Sequence, residues 1–212
     1  MNLQNYYYYF QSALTPRFCD ELIKYGISQQ EQLALTGGQT TKINEGKPLD
    51  DKDIIDLKKK RDSNIVWLND RWIYKEIQPF IHQANRLAGW NFEWSFSESC
   101  QFTKYKLNQF YDWHCDSWEA PYANKDNPDT FGKIRKLSVT CSLSAPEDYE
   151  GGELEFDFRN MDPDKPTIRK CAEISQRGSI VVFPSHVWHR VKPVTKGTRY
   201  SLVIWNLGYP FR

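Results

Sequence analysis

Cysteine is scarce in this sequence, and its spacing is not that of a metal cluster. The chain has 5 cysteines among 212 residues, and no two of them stand in C-x-x-C spacing. A disulfide framework and a thiolate zinc module are therefore not expected. The N-terminus lacks an apolar leader segment, so secretion is not expected either. An odd number of thiols without a leader is typical of a reducing compartment, and we expect a cytoplasmic protein.

A long apolar run and an excess of charge are also missing. No stretch approaches the roughly 18 apolar residues that a membrane-spanning helix requires. The formal net charge is +1, so no overall field favours nucleic acid or an anionic membrane. The one basic run, residues 58–61, is flanked by Asp53, Asp56 and Asp62 and is predicted to be a solvated helix end. We therefore expect neither a nucleic-acid partner nor a membrane partner.

Apolar and aromatic residues, in contrast, are plentiful. Hydrophobic residues make up 40% of the chain, with 8 Trp, 12 Tyr and 12 Phe, which is enough to fill the core of one domain of ordinary size. We expect a single domain over residues 1–212, with a helical N-terminal part at 1–90 and a β-rich part at 91–212.

Helical signals come first along the chain, and strand signals follow. Thr15 and Pro16 are the N-cap and first-turn residues of a predicted helix. Residues 70–87 have helical apolar spacing, although Pro79 should kink or divide this helix. The polar segment 37–53 is predicted to be a long loop. Short strands, which in this number indicate a sandwich or a barrel, are predicted at residues 6–10, 65–68, 92–96, 99–106, 110–115, 134–143, 153–158, 167–170, 179–183 and 199–206.

Four polar residues suggest the chemistry of this chain: His114, Asp116, His189 and Arg199. His114 and Asp116 are two apart, and in a strand such residues project from the same face. His189 can supply a third ligand, which gives the two-His-one-carboxylate set of non-heme Fe(II) oxygenases. The guanidinium of Arg199 offers a planar fork that suits a carboxylate. Together they predict a site for iron and a keto-acid cosubstrate.

Other interpretations of the same residues remain open. A His-x-Asp pair often occurs by chance, and His186 competes with His189 as the distal ligand. Two His and one carboxylate also hold zinc, but a zinc hydrolase would leave Arg199 without a role. A binding module that keeps the fold without turnover is the non-enzymatic alternative. The presence of three ligands together with Arg199 argues against it.

Several spaced motifs accompany these residues in a definite order. An apolar strand is followed by Phe-Pro-Ser at 183–185, His-Arg-Val at 189–191, Pro-Val at 193–194 and Gly-x-Arg at 197–199. Upstream lie Arg-Lys-Leu-Ser at 135–138 and Tyr-Glu-Gly-Gly-Glu-Leu at 149–154, and Tyr105 stands nine residues before His114. Over roughly residues 99–207 the chain resembles the Fe(II)/2-oxoglutarate dioxygenases of the prolyl 4-hydroxylase family.

The resemblance implies a fold, a ligand set and cofactors. The fold would be mainly β, a double-stranded β-helix (jelly roll) with N-terminal helices packed on it. His114, Asp116 and His189 would bind Fe(II), and 2-oxoglutarate would bind the metal through its keto oxygen and one carboxylate. Its far carboxylate would reach Arg199 and the hydroxyl of Tyr105. Ser201 is a further candidate there, with a plain strand serine as the alternative. O2 is the expected oxidant and ascorbate the expected reductant.

The resemblance also implies the reaction and the kind of substrate. We expect hydroxylation of a C–H bond with release of succinate and CO2, on a peptide or protein that contains proline. Another residue type, a free amino acid or a small molecule remains open as the substrate. The polar segment 117–131 directly follows two of the ligands and is predicted to be a lid. The segment 37–53 is the second lid candidate.

Overall fold

Strands dominate the fold. The computed structural model describes residues 5–117, 120–158 and 168–211. Over this part of the chain the helices are α1 (Pro16–Ser28), α2 (Gly37–Asn44), α3 (Asp51–Lys60) and α4 (Arg71–Leu87). The strands are β1 (Tyr8–Phe10), β2 (Gln32–Leu33), β3 (Arg61–Asp62), β4 (Asn64–Leu68), β5 (Phe96–Ser97), β6 (Cys100–Tyr105), β7 (Phe110–His114), β8 (Ile134–Ser142), β9 (Tyr149–Gly151), β10 (Leu154–Asp157), β11 (Ile168–Lys170), β12 (Ile180–Pro184), β13 (Trp188–Val191), β14 (Val194–Gly197) and β15 (Arg199–Gly208).

Two sheets make up most of the fold. The larger sheet has eight strands in the order β1-β12-β8-β15-β6-β4-β2, with β5 paired to β15. The smaller sheet has five strands in the order β11-β10-β13-β7-β3, and β14 pairs separately with β9. Strands that are distant in sequence lie side by side, as β1 and β12 do. Strands from the first 70 residues therefore complete both sheets. Of these, β1 and β4 match the strands predicted at 6–10 and 65–68, whereas β2 and β3 were not predicted.

The strand β12 shows how the larger sheet contributes to two cores. Ile180 and Val182 belong to one buried cluster together with residues of α1 and α4. Val181 and Phe183 belong to a second cluster with residues of the smaller sheet. Successive side chains of a strand point to opposite faces, so this apolar strand is buried on both sides. The helices thus cover the outer face of the larger sheet, and the smaller sheet covers its inner face.

The first and last helices form as their sequences predict, with one difference. At the start of α1 the Thr15 hydroxyl accepts a hydrogen bond from the Phe18 N–H at 3.2 Å, which satisfies a free donor of the first turn. In α4, Ile73, Ile77 and Ile81 form a buried stripe against the core. The helix runs on through Pro79 without being divided. The burial of this stripe outweighs the hydrogen bond that proline removes.

The prediction of a long loop at residues 37–53 is wrong. The segment contains α2 and the start of α3. The Asp50 side chain accepts from the Asp53 N–H, and the Asp53 side chain accepts from the Asp50 N–H. This reciprocal cap starts α3, and Leu57 then anchors the helix in the core. The polar composition of the segment gives no sign of α3, because this helix is stabilised by its cap and by one buried leucine.

One further strand prediction is wrong, and three further strands were not predicted. The predicted strand 92–96 is wrong, because strand structure begins only at Phe96. The side chain of Asn85 binds both the N–H and the carbonyl of Phe92, which removes that backbone from any ladder. The three strands that were not predicted are β9, β13 and β14. Thr167, the first residue of the predicted strand 167–170, lies outside the described residues. Among those described, no helix is long and apolar enough to cross a bilayer.

Candidate metal centre

A cavity between the two sheets contains the site residues that the sequence predicts. Its lining includes His114, Asp116, His189, Tyr105, Arg199 and Ser201. The first three lie at one end, which we call the metal end, and the last three belong to the larger sheet. The cavity also has walls from Leu154 and Trp205.

The three candidate ligands converge because two strands of the smaller sheet pair next to them. His114 is the last residue of β7, and it stands opposite His189 in the ladder between β7 and β13. Asp116 follows the end of β7, so the predicted strand 110–115 is one residue too long. The N–H of Asp116 donates to the Ser185 carbonyl at 2.9 Å, which turns the aspartate toward the histidines. The donor atoms of the three side chains lie within 4.8 Å of one another.

The two imidazoles present the same nitrogen to Asp116. Nδ1 of His114 lies 2.7 Å from the Asp112 carbonyl, and Nδ1 of His189 lies 3.0 Å from the Val187 carbonyl. A carbonyl can only accept, so each Nδ1 carries the proton and each Nε2 keeps a lone pair. These Nε2 atoms lie 3.8 and 3.6 Å from the two carboxylate oxygens of Asp116. Backbone contacts of this kind orient metal-binding histidines.

Asp116 is held by hydroxyls on its other side. It is 7% exposed, and the Ser138 hydroxyl donates to its Oδ2 at 2.7 Å. Ser138 is itself 2.9 Å from the hydroxyl of Ser185. Burial would raise the pKa of the Asp116 carboxyl, but His189, His114 and the Ser138 hydroxyl outweigh it, and the pKa lies below its usual range. Asp116 is therefore an ionised, oriented ligand near neutral pH.

The histidine at the edge of the site is packed between aromatic and cationic neighbours. The ring of Tyr111 stacks on His114 with centroids 3.5 Å apart, and the Arg61 guanidinium lies 4.4 Å from the centre of the Tyr111 ring. Burial, and then the adjacent His189, lower the pKa of His114 well below its usual value. The imidazole is thus neutral and available to a metal ion.

Arg61 corrects one sequence prediction. Residues 58–60 are exposed at the end of α3, as expected for a solvated helix end. Arg61 instead begins β3 and is 4% exposed. Its side chain donates to the Ser63 hydroxyl at 3.1 Å and to the Leu35 carbonyl at 3.1 Å. The last residue of this charged run, Arg61, is therefore buried in the protein interior.

The other end of the cavity is built around Arg199. Arg199 is 2% exposed, and one of its terminal nitrogens donates to the Ser201 hydroxyl at 3.2 Å. Its guanidinium lies 5.5 Å from the centre of the Tyr105 ring, because Arg199 and Tyr105 are cross-strand partners in β15 and β6. Burial raises the pKa of the Tyr105 hydroxyl against the opposing effect of Arg61 and Arg199. A buried cation beside two hydroxyls can pair with a carboxylate.

Sequence reasoning missed several residues of the site. Ser138 stood in a recognised motif but was given no role, and Tyr111 was given no role either. Gln101 and Thr140 line the cavity on strands of the larger sheet. They could have been found from the alternation of side chains between the two faces of a strand. It places Gln101 on the same face of β6 as Tyr105, and Thr140 on the same face of β8 as Ser138.

The predicted lid is anchored at Tyr122. Trp118 and Glu119 lie outside the described residues. The N–H of Tyr122 donates to the Lys133 carbonyl, and the N–H of Gly132 donates to the Tyr122 carbonyl. The Tyr122 hydroxyl donates to Glu98 at 2.6 Å. The segment therefore folds back on itself at Tyr122, and this residue contacts the turn between β5 and β6.

The metal end fits a divalent transition metal. Two imidazoles that present Nε2 to an ionised carboxylate, with open space toward the cavity, form the ligand set that non-heme Fe(II) oxygenases use. Within the described residues this is the one cluster of His, Cys, Asp and Glu with metal-binding spacing. His186 is exposed and does not belong to it.

Comparison with protein families agrees with this geometry. The family model described as the 2OG-Fe(II) oxygenase superfamily matches residues 100–206. This segment includes the six predicted site residues and covers half of the chain.

Curated relatives match the same part of the chain. A PKHD-type hydroxylase of Gloeothece citriformis is 36% identical over 109 residues, which are 50% of this chain and 41% of the relative. One from Hyphomonas neptunium is 43% identical over 70 residues, 32% of this chain and 27% of the relative. The match thus spans less than half the length of these relatives.

Solved structures share the fold over nearly the whole chain. A viral collagen prolyl hydroxylase from Paramecium Bursaria Chlorella virus-1, solved with 2OG, aligns with a TM-score of 0.63 at 20% identity and covers 97% of both chains. A prolyl-4-hydroxylase of Pseudomonas putida aligns with a TM-score of 0.61 at 17% identity, over 96% of this chain and 93% of the other. These likenesses confirm the predicted jelly-roll fold. Together with the family match and the curated relatives, they show that the chain belongs to the 2OG-Fe(II) oxygenase superfamily, the dioxygenases to which its motifs pointed.

Proposed function

We propose that this protein is an Fe(II)- and 2-oxoglutarate-dependent hydroxylase of a prolyl residue in a peptide or protein, with release of succinate and CO2. The observation that carries the proposal is one buried cavity in which His114, Asp116 and His189 face the same space as Arg199. A metal triad alone would also suit a zinc hydrolase. The buried guanidinium of Arg199 in the same cavity has a role only if a partner that carries a carboxylate binds there.

Each residue has a separate task in this proposal. His114 and His189 would bind the metal through Nε2, because Nδ1 of each donates to a carbonyl. Asp116 would bind through a carboxylate oxygen while Ser138 holds the other. Arg199 would pair with the far carboxylate of 2-oxoglutarate, with Tyr105 and Ser201 beside it. Iron supplies the redox chemistry when bound, and these residues orient the reactants and limit water.

The proline specificity draws on the relatives. The two solved neighbours compared above are prolyl hydroxylases, and a third prolyl hydroxylase, from Trichoplax adhaerens, with a TM-score of 0.64 at 18% identity, is in complex with a peptide fragment of hypoxia inducible factor. Such likeness supports a peptide substrate for this chain but does not specify its sequence. We further propose that residues 1–212 act as one domain, with ascorbate as the reductant that keeps iron in the Fe(II) state.

The cytoplasmic location is likewise proposed from the chemistry of the cysteines. No disulfide bond is formed by any of the five cysteines: Cys19, Cys100, Cys115, Cys141 and Cys171. Cysteines outside disulfide bonds are typical of a reducing compartment.

The direct test is turnover with a panel of peptides. The protein is incubated with Fe(II), ascorbate, O2 and 2-oxoglutarate, together with proline-rich peptides and matched peptides in which alanine replaces proline. We expect succinate to form and the proline peptides to gain one oxygen atom by mass spectrometry. Succinate without any modified peptide would leave the hydroxylase class in place and refute the proline specificity. Absence of succinate with every peptide would refute the proposed activity.

A further inference from the structure

Four aromatic rings form much of a cavity that is separate from the one between the two sheets. Its volume is about 580 Å³, which lies within the range of small-molecule sites. The rings are those of Trp90, Phe92, Tyr209 and Phe211. None of the described residues that line this space also lines the cavity of the candidate metal ligands. We call it the aromatic cavity.

The aromatic cavity has one fixed wall and one accessible wall. Trp90 and Phe92 are buried and belong to the core on the outer side of the larger sheet, and the indole N–H of Trp90 donates to the Asn5 carbonyl at 2.6 Å. Tyr209 and Phe211 are exposed. A ligand can therefore enter past the exposed rings and pack against rings whose positions are already set.

An irregularity in β8 directs a lysine into this cavity. On the neighbouring strand β15, Asn206 pairs with Leu137, but the next residue of β15 pairs with Arg135. Lys136 is thus left without a partner in this ladder, as the additional residue of a β-bulge. Bulges redirect side chains, and Lys136 lines the aromatic cavity.

The charge of Lys136 is buried without an ion pair. Lys136 is 6% exposed, and its ammonium group makes no hydrogen bond or salt bridge to the residues that the structure describes. Its Nζ lies 4.4 Å from the centre of the Phe211 ring, which compensates part of the charge. Burial lowers the pKa of Lys136, and Glu93 opposes this shift only in part. Because an unpaired buried charge is costly, an anion in the cavity would stabilise this lysine.

Charge and shape restrict the kind of anion. One ammonium group balances one negative charge, and the exposed carboxylate of Glu93, which also lines the cavity, would repel a second. A monocarboxylate therefore suits the site better than a phosphate monoester, which carries about two negative charges at neutral pH. The rings of Trp90 and Phe211 favour a flat apolar body on the same ligand.

We propose that the aromatic cavity binds a small aromatic monocarboxylate, whose carboxylate pairs with Lys136 and whose ring packs against Trp90 and Phe211. A hydrogen bond between an ammonium group and a carboxylate is among the strong ones in proteins. The site shares no described residue with the metal centre, so its test does not depend on the proposed hydroxylase activity.

The test uses phenylacetate and the uncharged phenylacetamide, which has nearly the same shape, as probes. Binding to the full chain is measured by calorimetry for the unmodified protein, Lys136→Met and Lys133→Met. Both lysines are buried and lie over aromatic rings, but only Lys136 lines the aromatic cavity. Methionine keeps an unbranched apolar side chain, so each variant removes chiefly one positive charge.

We expect the unmodified protein to bind phenylacetate with a dissociation constant of about 1 mM or less. Phenylacetamide should bind at least about tenfold more weakly, the lower end of the range for a lost charged hydrogen bond. Lys136→Met should weaken phenylacetate by at least about tenfold for the same reason, with phenylacetamide nearly unchanged. Lys133→Met should leave both affinities nearly unchanged.

Several results would overturn the proposed site. These are no binding of phenylacetate to the unmodified chain, equal binding of the acid and the amide, and equal losses in the two lysine variants. Displacement of phenylacetate by an equal concentration of 2-oxoglutarate would place the acid beside Arg199 and would also overturn it.

A third variant keeps the test decisive if Lys136→Met does not fold. Glu93→Gln removes the exposed carboxylate at the cavity, and phenylacetate should then bind about 1.5- to 5-fold more tightly, the range for exposed charge pairs. Phenylacetamide should bind as before. An unchanged or weaker affinity for phenylacetate in Glu93→Gln would contradict a carboxylate site at Lys136.

Discussion

The two ends of the cavity differ in how firmly their polar groups are held. At the metal end, each ligand has a second partner: a backbone carbonyl for His114 and for His189, and the Ser138 hydroxyl for Asp116. At the other end, which we call the cosubstrate end after its proposed role, Arg199 is buried and donates to the Ser201 hydroxyl. The comparison teaches that several separate contacts position the groups where a metal would bind, whereas the cosubstrate end depends on one buried charge.

Replacing the carboxylate ligand should have the largest effect, and it should act mainly on the metal. We expect Asp116→Asn to weaken metal binding by more than about 100-fold, because even outer partners of ligands are worth 10- to 100-fold. The metal-free variant should stay folded but unfold at somewhat lower urea, because the lowered pKa of Asp116 means that its ionised form stabilises the folded chain. Metal binding is measured by equilibrium dialysis and stability by urea unfolding.

The matched control for this substitution lies in the same strand. Asp112→Asn removes an exposed carboxylate of β7, two residues before His114, and should leave metal binding unchanged. Equal loss of metal in both variants would show that negative charge around the site, rather than ligation by Asp116, retains the ion.

Changing the cosubstrate end should separate its function from that of the metal end. Arg199→Lys keeps the charge but loses the planar fork. We expect the apparent constant for 2-oxoglutarate to rise by about 10- to 100-fold, the range for a lost charged hydrogen bond, while metal affinity stays nearly unchanged. Both constants come from one titration series with Mn(II) and the keto acid. A parallel loss of metal would mean that Arg199 supports the fold of the whole cavity.

Removing the hydroxyl behind the ligand tests whether the metal end is truly held in place. Ser138→Ala deletes the donor to Asp116, and metal affinity should fall by about 10-fold, at the lower end of the range for outer partners. Ser144→Ala is the control, because Ser144 is also buried but its hydroxyl accepts from the Tyr200 N–H far from the ligands. Loss of metal in the control alone, or in both, would contradict the role of Ser138.

The smallest effect concerns pH and the metal-free protein. The pKa of His114 is lowered in the folded state, so below about pH 6.5 the unfolded chain binds a proton that the folded chain does not. The free energy of unfolding therefore rises with pH, and the contribution linked to His114 should be lost as the pH falls below about 6.5. We expect chelator-treated protein to unfold at lower urea at acidic pH. The dependence of the free energy of unfolding on pH should become weaker in His114→Gln. It should remain in His82→Gln, whose histidine lies on α4. An unchanged dependence in His114→Gln would mean that another group causes it.

The sequence was sufficient to predict the metal end and the β-rich fold, for physical reasons. Ligand chemistry is carried by a few residue types at fixed spacing, so His114, Asp116 and His189 could be proposed from the chain alone. The strands β6, β8, β12 and β15 are rich in β-branched and aromatic residues, which favour strand structure. The capping residues of α1 act within a few residues of the chain, so they can also be identified from the sequence.

Features that depend on tertiary contacts could not be predicted. The α3 helix begins in a polar segment whose sequence does not predict it, because it is stabilised by one buried leucine and by a cap of two aspartates. Arg61 looks like the end of a solvated basic run, yet β3 carries it into the interior. Ser138 is an ordinary strand serine in sequence, and only the packing of the two sheets sets it against Asp116.

The central claim is that His189, and not its neighbour His186, completes a metal site that shares its cavity with a keto-acid site. The most direct measurement is an anaerobic titration of Fe(II)-loaded protein with 2-oxoglutarate, following the visible charge-transfer band of a keto acid chelated to iron. We predict a saturable band in the unmodified chain and in His186→Ala, and no band in His189→Ala. A band that survives in His189→Ala, or one that is lost in His186→Ala alone, would contradict this account.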